Sequence, residues 1–468
     1  MSAHPAGPRS ASLVSGYAPA VSAVDAHSPS VWPINARWAE SGVLEIAGVT
    51  APDLVAQHGS PLFVLDEDDV RMRAHGYVAA FSGCDVFYAA KAFLSVEFAR
   101  WMLCEGLGID VCTLGELRTA LLAGATGAQL LVHGNNKSVE ELRAAVAAQV
   151  RFIVVDSLDE IARLEVVARD ASATVDVLVR VTVGVEAHTH EFIATAHEDQ
   201  KFGFSLASGA ADAAVTAVLA SPHLNFTGLH SHIGSQIFDE QGFIVAIHRL
   251  IEFCTHVQSK FHVVVANLNI GGGAGIAYLP SDDPISPAAL GQRICAIVRE
   301  ECAVRAFPEP HLIVEPGRAI VGPGGITLYT VGTVKPVAIG PKEVRTYVSV
   351  DGGMSDNIRT ALYNADYTVA HANRVTTADE ASQLVRIVGK HCESGDIVVR
   401  DAELLADTAP GDLLAVAATG AYCRSMASNY NSMPRPAVVA VRNGISRVLL
   451  RRETIDDLLL LDTAVNHD

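Results

Sequence analysis

Short, nearly continuous apolar runs recur between residues 66 and 323, separated by longer stretches with the period of amphipathic helices. The runs are DVFYAA (85–90), GIDVC (108–112), QLLVH (129–133), RFIVVD (151–156), DVLVRV (176–181), FTGLHSH (226–232), NLNIGG (267–272) and HLIVEP (311–316). Between them lie segments such as SVEFARWMLCEG (95–106), GELRTALLAGA (115–125), SVEELRAAVAAQ (138–149) and LDEIARLEVVARD (158–170). A strand that is apolar on both faces is buried on both, so it needs a layer of helices outside it. Eight β-then-α units in succession predict a closed, parallel, TIM-like (β/α)8 barrel. The same alternation would also build an open doubly wound sheet.

After residue 324 the texture changes to ITLYTVGTV, RTYVSVD, DLLAVAAT, AVVAVRN and SRVLLRR, with Gly, Pro and Asp between the runs and little helix periodicity. This predicts a second, β-rich domain, a sandwich or barrel. The short run PLFVL (61–65) suits either domain. The expected organisation is a flexible extension over 1–30, a barrel over 67–323, and a β-rich domain made of 31–66 and 324–468.

Composition narrows the class. The chain is 50% apolar and 18% charged, which excludes a disordered or fibrous protein. Lys plus Arg number 34 against 52 Asp plus Glu, a net charge of −18, so a general nucleic-acid binder is excluded and any anionic ligand needs local donors. Eight cysteines are scattered without a CxxC pair, which argues against zinc ribbons and redox motifs and fits a reducing cytoplasm. The Ala-, Ser- and Pro-rich N-terminus has no apolar h-region of a signal peptide, and no apolar run approaches the roughly 18 residues of a membrane span.

In a barrel of this kind chemistry sits at the C-terminal ends of the strands. Those ends carry Lys91, Asp110, His133, the string His230-Ser231-His232-Ile233-Gly234-Ser235-Gln236, Gly271-Gly272-Gly273, and Glu315-Pro316-Gly317-Arg318. Alone, Lys91 reads as a surface lysine, the triple glycine as a turn, and His232 as a hydrogen-bonded core histidine. Together they converge on one end of one barrel. The apolar approach to Lys91 predicts desolvation and a lowered pKa, which suits a Schiff-base nucleophile. With a glycine loop and Ser235 for a phosphate and Glu315 as a carboxylate, they describe a pyridoxal phosphate site. The segment EAHTHEF (186–192) offers His188 and His190 at a spacing that suits two metal ligands on a strand, but no third ligand is evident, so a loop and no metal are expected. His133 and His391 are read as structural.

The motifs FYAAKAF, HSHIGSQ, GGG, EPGR, HCESGD and GAYCRSMASNYN occur in this order. From about residue 35 onward the chain thereby resembles the fold-type III pyridoxal phosphate decarboxylases, most closely the diaminopimelate decarboxylase family of the actinobacterial kind. The resemblance implies a barrel of the alanine racemase type, a C-terminal β domain, a homodimer with shared active sites, pyridoxal 5′-phosphate as cofactor, and decarboxylation of meso-diaminopimelate to L-lysine. It implies that Lys91 bonds to the cofactor, that His232 stacks on its ring, and that Glu315 faces its nitrogen. Ser235 and Gly273 then meet its phosphate, with Pro316, Gly317 and Arg318 at the boundary between phosphate and substrate. Arg359 and Tyr363 match substrate contacts, Tyr422 a cofactor and substrate contact, and Cys392 and Glu393 a proton donor and a substrate-binding acid from the partner subunit.

A carboxylate facing the ring nitrogen favours its protonated form and so suits loss of carbon dioxide, whereas an arginine there would suit racemisation. A far end bearing both ammonium and carboxylate calls for an acid (Glu393) and an arginine (Arg318 or Arg359). Alternatives are a sister decarboxylase of ornithine, arginine or carboxynorspermidine, and a non-catalytic pyridoxal phosphate carrier, which would lack the β domain and the Cys392-Glu393 pair. Two positions depart from the usual pattern: Leu114, where glycine is common, and Asn269, where aspartate is common. Both are expected to affect loops only, touching neither Lys91 nor Glu315.

Overall fold

The computed structural model describes residues 20–185, 201–341, 343–374, 376 and 379–465. The chain divides into two compact units, one comprising Arg71–Gly275 and Pro284–Ala319, the other the residues before Arg71, Ile276–Asp283 and those from Ile320 onward.

The first unit is the barrel. Helix α1 (Glu67–Ala80) leads into β1 (Asp85–Ala89), α2 (Val96–Cys104), β2 (Gly108–Val111), α3 (Leu114–Leu122), β3 (Leu130–Val132) and α4 (Val139–Ala147). There follow β4 (Phe152–Val155), α5 (Leu158–Asp170), β5 (Val175–Thr182), α6 (Ala210–Leu219), β6 (Leu224–His230), α7 (Gln241–Phe261), β7 (Asn267–Asn269), α8 (Pro287–Val304) and β8 (His311–Val314). Each strand pairs in parallel with its successor, and β8 pairs with β1, so the sheet is closed rather than open. Local chemistry starts the helices where the strands stop. Ser95, Thr113, Ser138 and Ser157 each cap the helix that follows, accepting from the backbone N–H three residues on. Phe87, Leu131, Phe152, Val154, Leu178 and Ile313 form an apolar cluster contributed by five of the barrel strands.

In the second unit, Leu62–Asp66 lies between two strands of the C-terminal part, antiparallel to Gly325–Ala338 and parallel to Ala437–Arg442. PLFVL thus belongs to the β-rich unit. The sheet continues through Val344–Val350, Ser382–Val388 and Ile397–Leu405 on one side and Ile445–Leu450 on the other. Its core gathers Leu62, Val64, Ile326, Leu328, Val439 and Val441 with Trp32, Leu44 and Ile46. Within the segment expected to be a flexible extension, residues from Val21 on are tied down. Val21 O accepts from Glu403 N (3.1 Å), and buried Ala26 accepts from Trp32 Nε1 (2.8 Å). Small apolar residues at 21, 23 and 26 make these contacts, a signal too sparse to show as periodicity. Residues 186–200, with His188 and His190, lie outside the described residues. Among the described residues no disulfide is formed and no helix is long and apolar enough to cross a membrane.

Candidate active site

The C-terminal ends of the barrel strands surround a cavity of about 810 Å³ whose lining includes Lys91, His133, Arg180, His230, His232 and Glu315. Lys91 stands in a one-turn 3-10 helix, Ala90–Ala92, just past β1. The flanking alanines are buried, and the Lys91 side chain opens into the cavity.

Glu315, 5% exposed, follows β8 and anchors the floor of the site. Its Oε1 accepts from His133 Nε2 (2.7 Å) and from Asn269 Nδ2 (2.6 Å), and its Oε2 lies 3.5 Å from His230 Nε2. Burial works against a charge here, but the histidines beside it outweigh burial and hold the Glu315 carboxyl well below the ordinary range. Burial pushes the His230 imidazole down to about 3 and lowers His133 as well; of the two, His133 makes the hydrogen bond to Glu315, while neither ring nitrogen of His230 has a hydrogen-bond partner among the described residues. Asp110, also buried, is driven the other way, well above the ordinary carboxylate range, by burial and by the charge of Glu315.

The glycine loop has no room for side chains. A Cβ on Gly271 would meet His232 Nδ1 at 2.8 Å, one on Gly272 would meet Glu315 O at 2.2 Å, and one on Gly273 would meet Gly234 O at 2.5 Å. Gly273 also has φ +120°, which disfavours a side chain. The loop is pinned by Ile237 N to Gly273 O (2.9 Å) and Glu315 N to Gly271 O (2.9 Å). Beside it Arg318 Nη2 donates to Ser235 Oγ (2.8 Å), and Ala89 N donates to Pro316 O (3.1 Å). A Cβ on Gly317 would meet the Ala89 side chain at 2.9 Å. Lys91, His232, Ser235, Gly273, Glu315, Pro316, Gly317 and Arg318 are therefore gathered in one unit.

Sequence reasoning missed three contributors. His133, read as structural, donates directly to Glu315. Asn269, expected to touch neither Lys91 nor Glu315, is in hydrogen-bond contact with Glu315, because β7 ends beside β8 and its last side chain points along the floor. Arg180, inside the run DVLVRV, lies 3.4 Å from Asp156 and stacks its guanidinium 4.4 Å from the Phe202 ring centroid. A charge inside an otherwise apolar strand was the available signal.

The remaining expected residues belong to the β-rich unit. Arg359 is buried, donates from Nη1 to Tyr367 OH (2.5 Å), and lies 4.7 Å and 5.5 Å from the ring centroids of Tyr278 and Tyr367. Tyr363, four residues on, is 61% exposed. Cys392 and Glu393 are exposed on a turn organised by Asp396, which accepts from Met354 N (2.6 Å) and His391 N (2.8 Å). Tyr422 has φ +59° and is half-buried.

A closed parallel barrel whose mouth gathers a lysine, an ionised carboxylate and a glycine cradle is the form of a pyridoxal phosphate enzyme, and residues 67–322 match the model of the pyridoxal-dependent decarboxylase, pyridoxal binding domain. The chain is 58% identical over 440 residues to the diaminopimelate decarboxylase of Mycobacterium tuberculosis, covering 93% of this chain and 98% of that one. The crystal structure of diaminopimelate decarboxylase from M. jannaschii superposes with a TM-score of 0.85 at 30% identity, covering 93% of this chain and 99% of that chain. The same enzyme, solved in complex with L-lysine, gives a TM-score of 0.85 over 92% of this chain and 98% of that chain. The chain belongs to the diaminopimelate decarboxylase family of pyridoxal-dependent decarboxylases. It is an enzyme, and its cofactor is pyridoxal 5′-phosphate. The barrel mouth fits that group: backbone and no side chains along Gly271–Gly273, an acid held ionised, and a buried His230 Nδ1 and Ser231 Oγ without hydrogen-bond partners among the described residues.

Proposed function

We propose that the protein removes carbon dioxide from meso-2,6-diaminopimelate to give L-lysine, as the last step of lysine biosynthesis. The observation that carries this reading is the buried, ionised Glu315 at the barrel mouth, in a chain 58% identical to a diaminopimelate decarboxylase. Pyridoxal phosphate, when bound, supplies a conjugated electron sink for the charge left at the carbon that loses carbon dioxide. Lys91 would hold the cofactor covalently through Nζ, His232 would pack on its ring, and Glu315 would favour a proton on the ring nitrogen. Ser235, Gly273, Pro316, Gly317 and Arg318 hold the phosphate side, with Tyr422 as a further contact. Arg318, Arg359, Tyr363, Tyr422 and Glu393 bind the substrate, the arginines taking its far carboxylate and Glu393 the far ammonium.

Cys392 delivers the proton that replaces the lost carboxyl group. It does so from the partner subunit of a homodimer, in which each site combines a barrel (67–323) with the partner's β-rich domain (31–66 and 324–468). A chain without CxxC pairs, rich in unbridged thiols, suits the cytoplasm. The test is carbon dioxide release from purified holoenzyme offered meso-diaminopimelate, L-lysine and L-ornithine. A site built to pair the far carboxylate rejects substrates lacking it, by about 10⁴ in kcat/KM. Comparable values for ornithine would replace this reading with that of a sister decarboxylase.

A further inference from the structure

Asn269, wholly buried at the end of β7, makes two hydrogen bonds of opposite sense. Its Nδ2 donates to Glu315 Oε1 (2.6 Å), and its Oδ1 accepts from Gly271 N (2.8 Å). These partners fix the orientation of the amide, since a carboxylate can only accept and a backbone N–H can only donate. Asparagine offers one donor and one acceptor at this spacing at every pH, which a carboxyl of the same size does only while protonated. Aspartate would match the Gly271 contact but set an oxygen against the Glu315 oxygen, and an apolar residue would leave both partners unpaired in a buried place.

We propose that Asn269 is a positioning residue. One neutral side chain aims the Glu315 carboxylate and locks the first glycine of the cradle, so that the acid and the loop are set by the same group. Asn269 also adds no charge to a crowded site. Glu315 is already surrounded by His133, His230 and Asp110, with Arg180, Lys91 and His232 near enough to influence these groups. A second carboxylate at 269 would have to keep a proton to make the same contact, and the pair would titrate together.

The inference rests on the reading that Glu315 faces the cofactor ring, and its test separates the two. The dissociation constant of pyridoxal phosphate and the visible absorbance of the holoenzyme are measured from pH 6 to 9 for the full-length protein and two variants. Asn269→Asp is nearly isosteric. It is expected to bind the cofactor like the unaltered protein at the acid end and to weaken about tenfold or more as pH rises and the added carboxyl ionises, with a matching absorbance step absent from the unaltered protein. Asn269→Ala is expected to bind ten- to hundredfold more weakly at every pH, the usual effect of losing a hydrogen bond to a buried charge. Circular dichroism checks that each variant is folded. If Asn269→Asp follows the unaltered protein across the whole range, in affinity and absorbance, the positioning role is wrong. Should Glu315→Gln leave affinity, absorbance and kcat of the unaltered background unchanged, the failure lies instead with the role of Glu315.

Discussion

Replacing Lys137 with methionine tests how the barrel holds the wall of its cavity. Lys137 Nζ donates to Gly134 O (2.6 Å), Val154 O (2.7 Å) and Glu160 Oε1 (2.6 Å), so all three of its protons are used. The side chains of Lys137 and Glu160 are 1% and 0% exposed. Methionine fills much the same volume, so the loss is electrostatic: Glu160 would be left buried with the Asp156 N–H at 3.3 Å. Breaking a buried pair from one side costs about 3–5 kcal/mol. Burial raises the Glu160 carboxyl and Lys137 opposes that rise, so removing the lysine lifts it further. A folded-state pKa above the unfolded one means the variant keeps its stability below the unfolded value and loses it as pH rises through the folded value, by about 1.4 kcal/mol per pH unit within that window. Trp101 is buried in the barrel unit, whereas Trp32 and Trp38 lie in the other. In a Trp32→Phe/Trp38→Phe background, fluorescence-detected urea unfolding therefore reports the barrel alone. The deficit of Lys137→Met should be small at pH 5 and large at pH 8, and Lys137→Met/Glu160→Gln should lose clearly less than the two single changes added together. A deficit below about 0.5 kcal/mol at pH 8, or strict additivity in the double variant, would refute the reasoning.

Three further outcomes are expected. Glu315→Gln should keep the cofactor but lower kcat by about 10²–10³, the loss typical of one preorganised electrostatic group, and an unchanged kcat would remove its assigned role. Gly273→Ala, whose Cβ would lie 2.5 Å from Gly234 O, should weaken cofactor retention in equilibrium dialysis, while Gly76→Ala, with nothing within 4 Å, serves as the neutral control. Mixtures of Lys91→Ala and Cys392→Ala chains, unfolded and reassociated, should recover activity towards about a quarter of the unaltered level, since half the dimers are hybrids with one whole site each. Hybrids seen by native mass spectrometry without recovered activity would place Cys392 outside the shared chemistry.

The barrel was legible because its signal is repeated: most strands are short apolar runs, and five of the following helices open on a Ser or Thr that also acts as cap. Lys91, His232, Ser235, Gly273 and Glu315 could be picked out because each breaks the pattern of the strand or loop it ends. The network around Glu315 was not legible. His133 and Asn269 end two strands far apart in the chain, and only closure of the sheet brings both onto one carboxylate. The strands Ser382–Val388 and Ile397–Leu405 were also passed over. Both carry buried arginines, Arg386 and Arg400, which pair with Asp401 and Asp366 and interrupt the apolar runs by which strands are recognised.

The placement of Leu62–Asp66 has a consequence for how the chain matures during synthesis. Its parallel neighbour is Ala437–Arg442, and Glu67, which follows it, pairs with Arg442, 375 residues later. At roughly 5–20 residues per second a ribosome needs some tens of seconds to cover that interval. When the last barrel strand is complete at Val314, the early strand still lacks both of its neighbours, Gly325–Ala338 and Ala437–Arg442. The nascent chain is therefore expected to close its barrel first and to present a waiting β-edge to chaperones, and a stalled or truncated product ending before Ala437 would expose that edge to other chains.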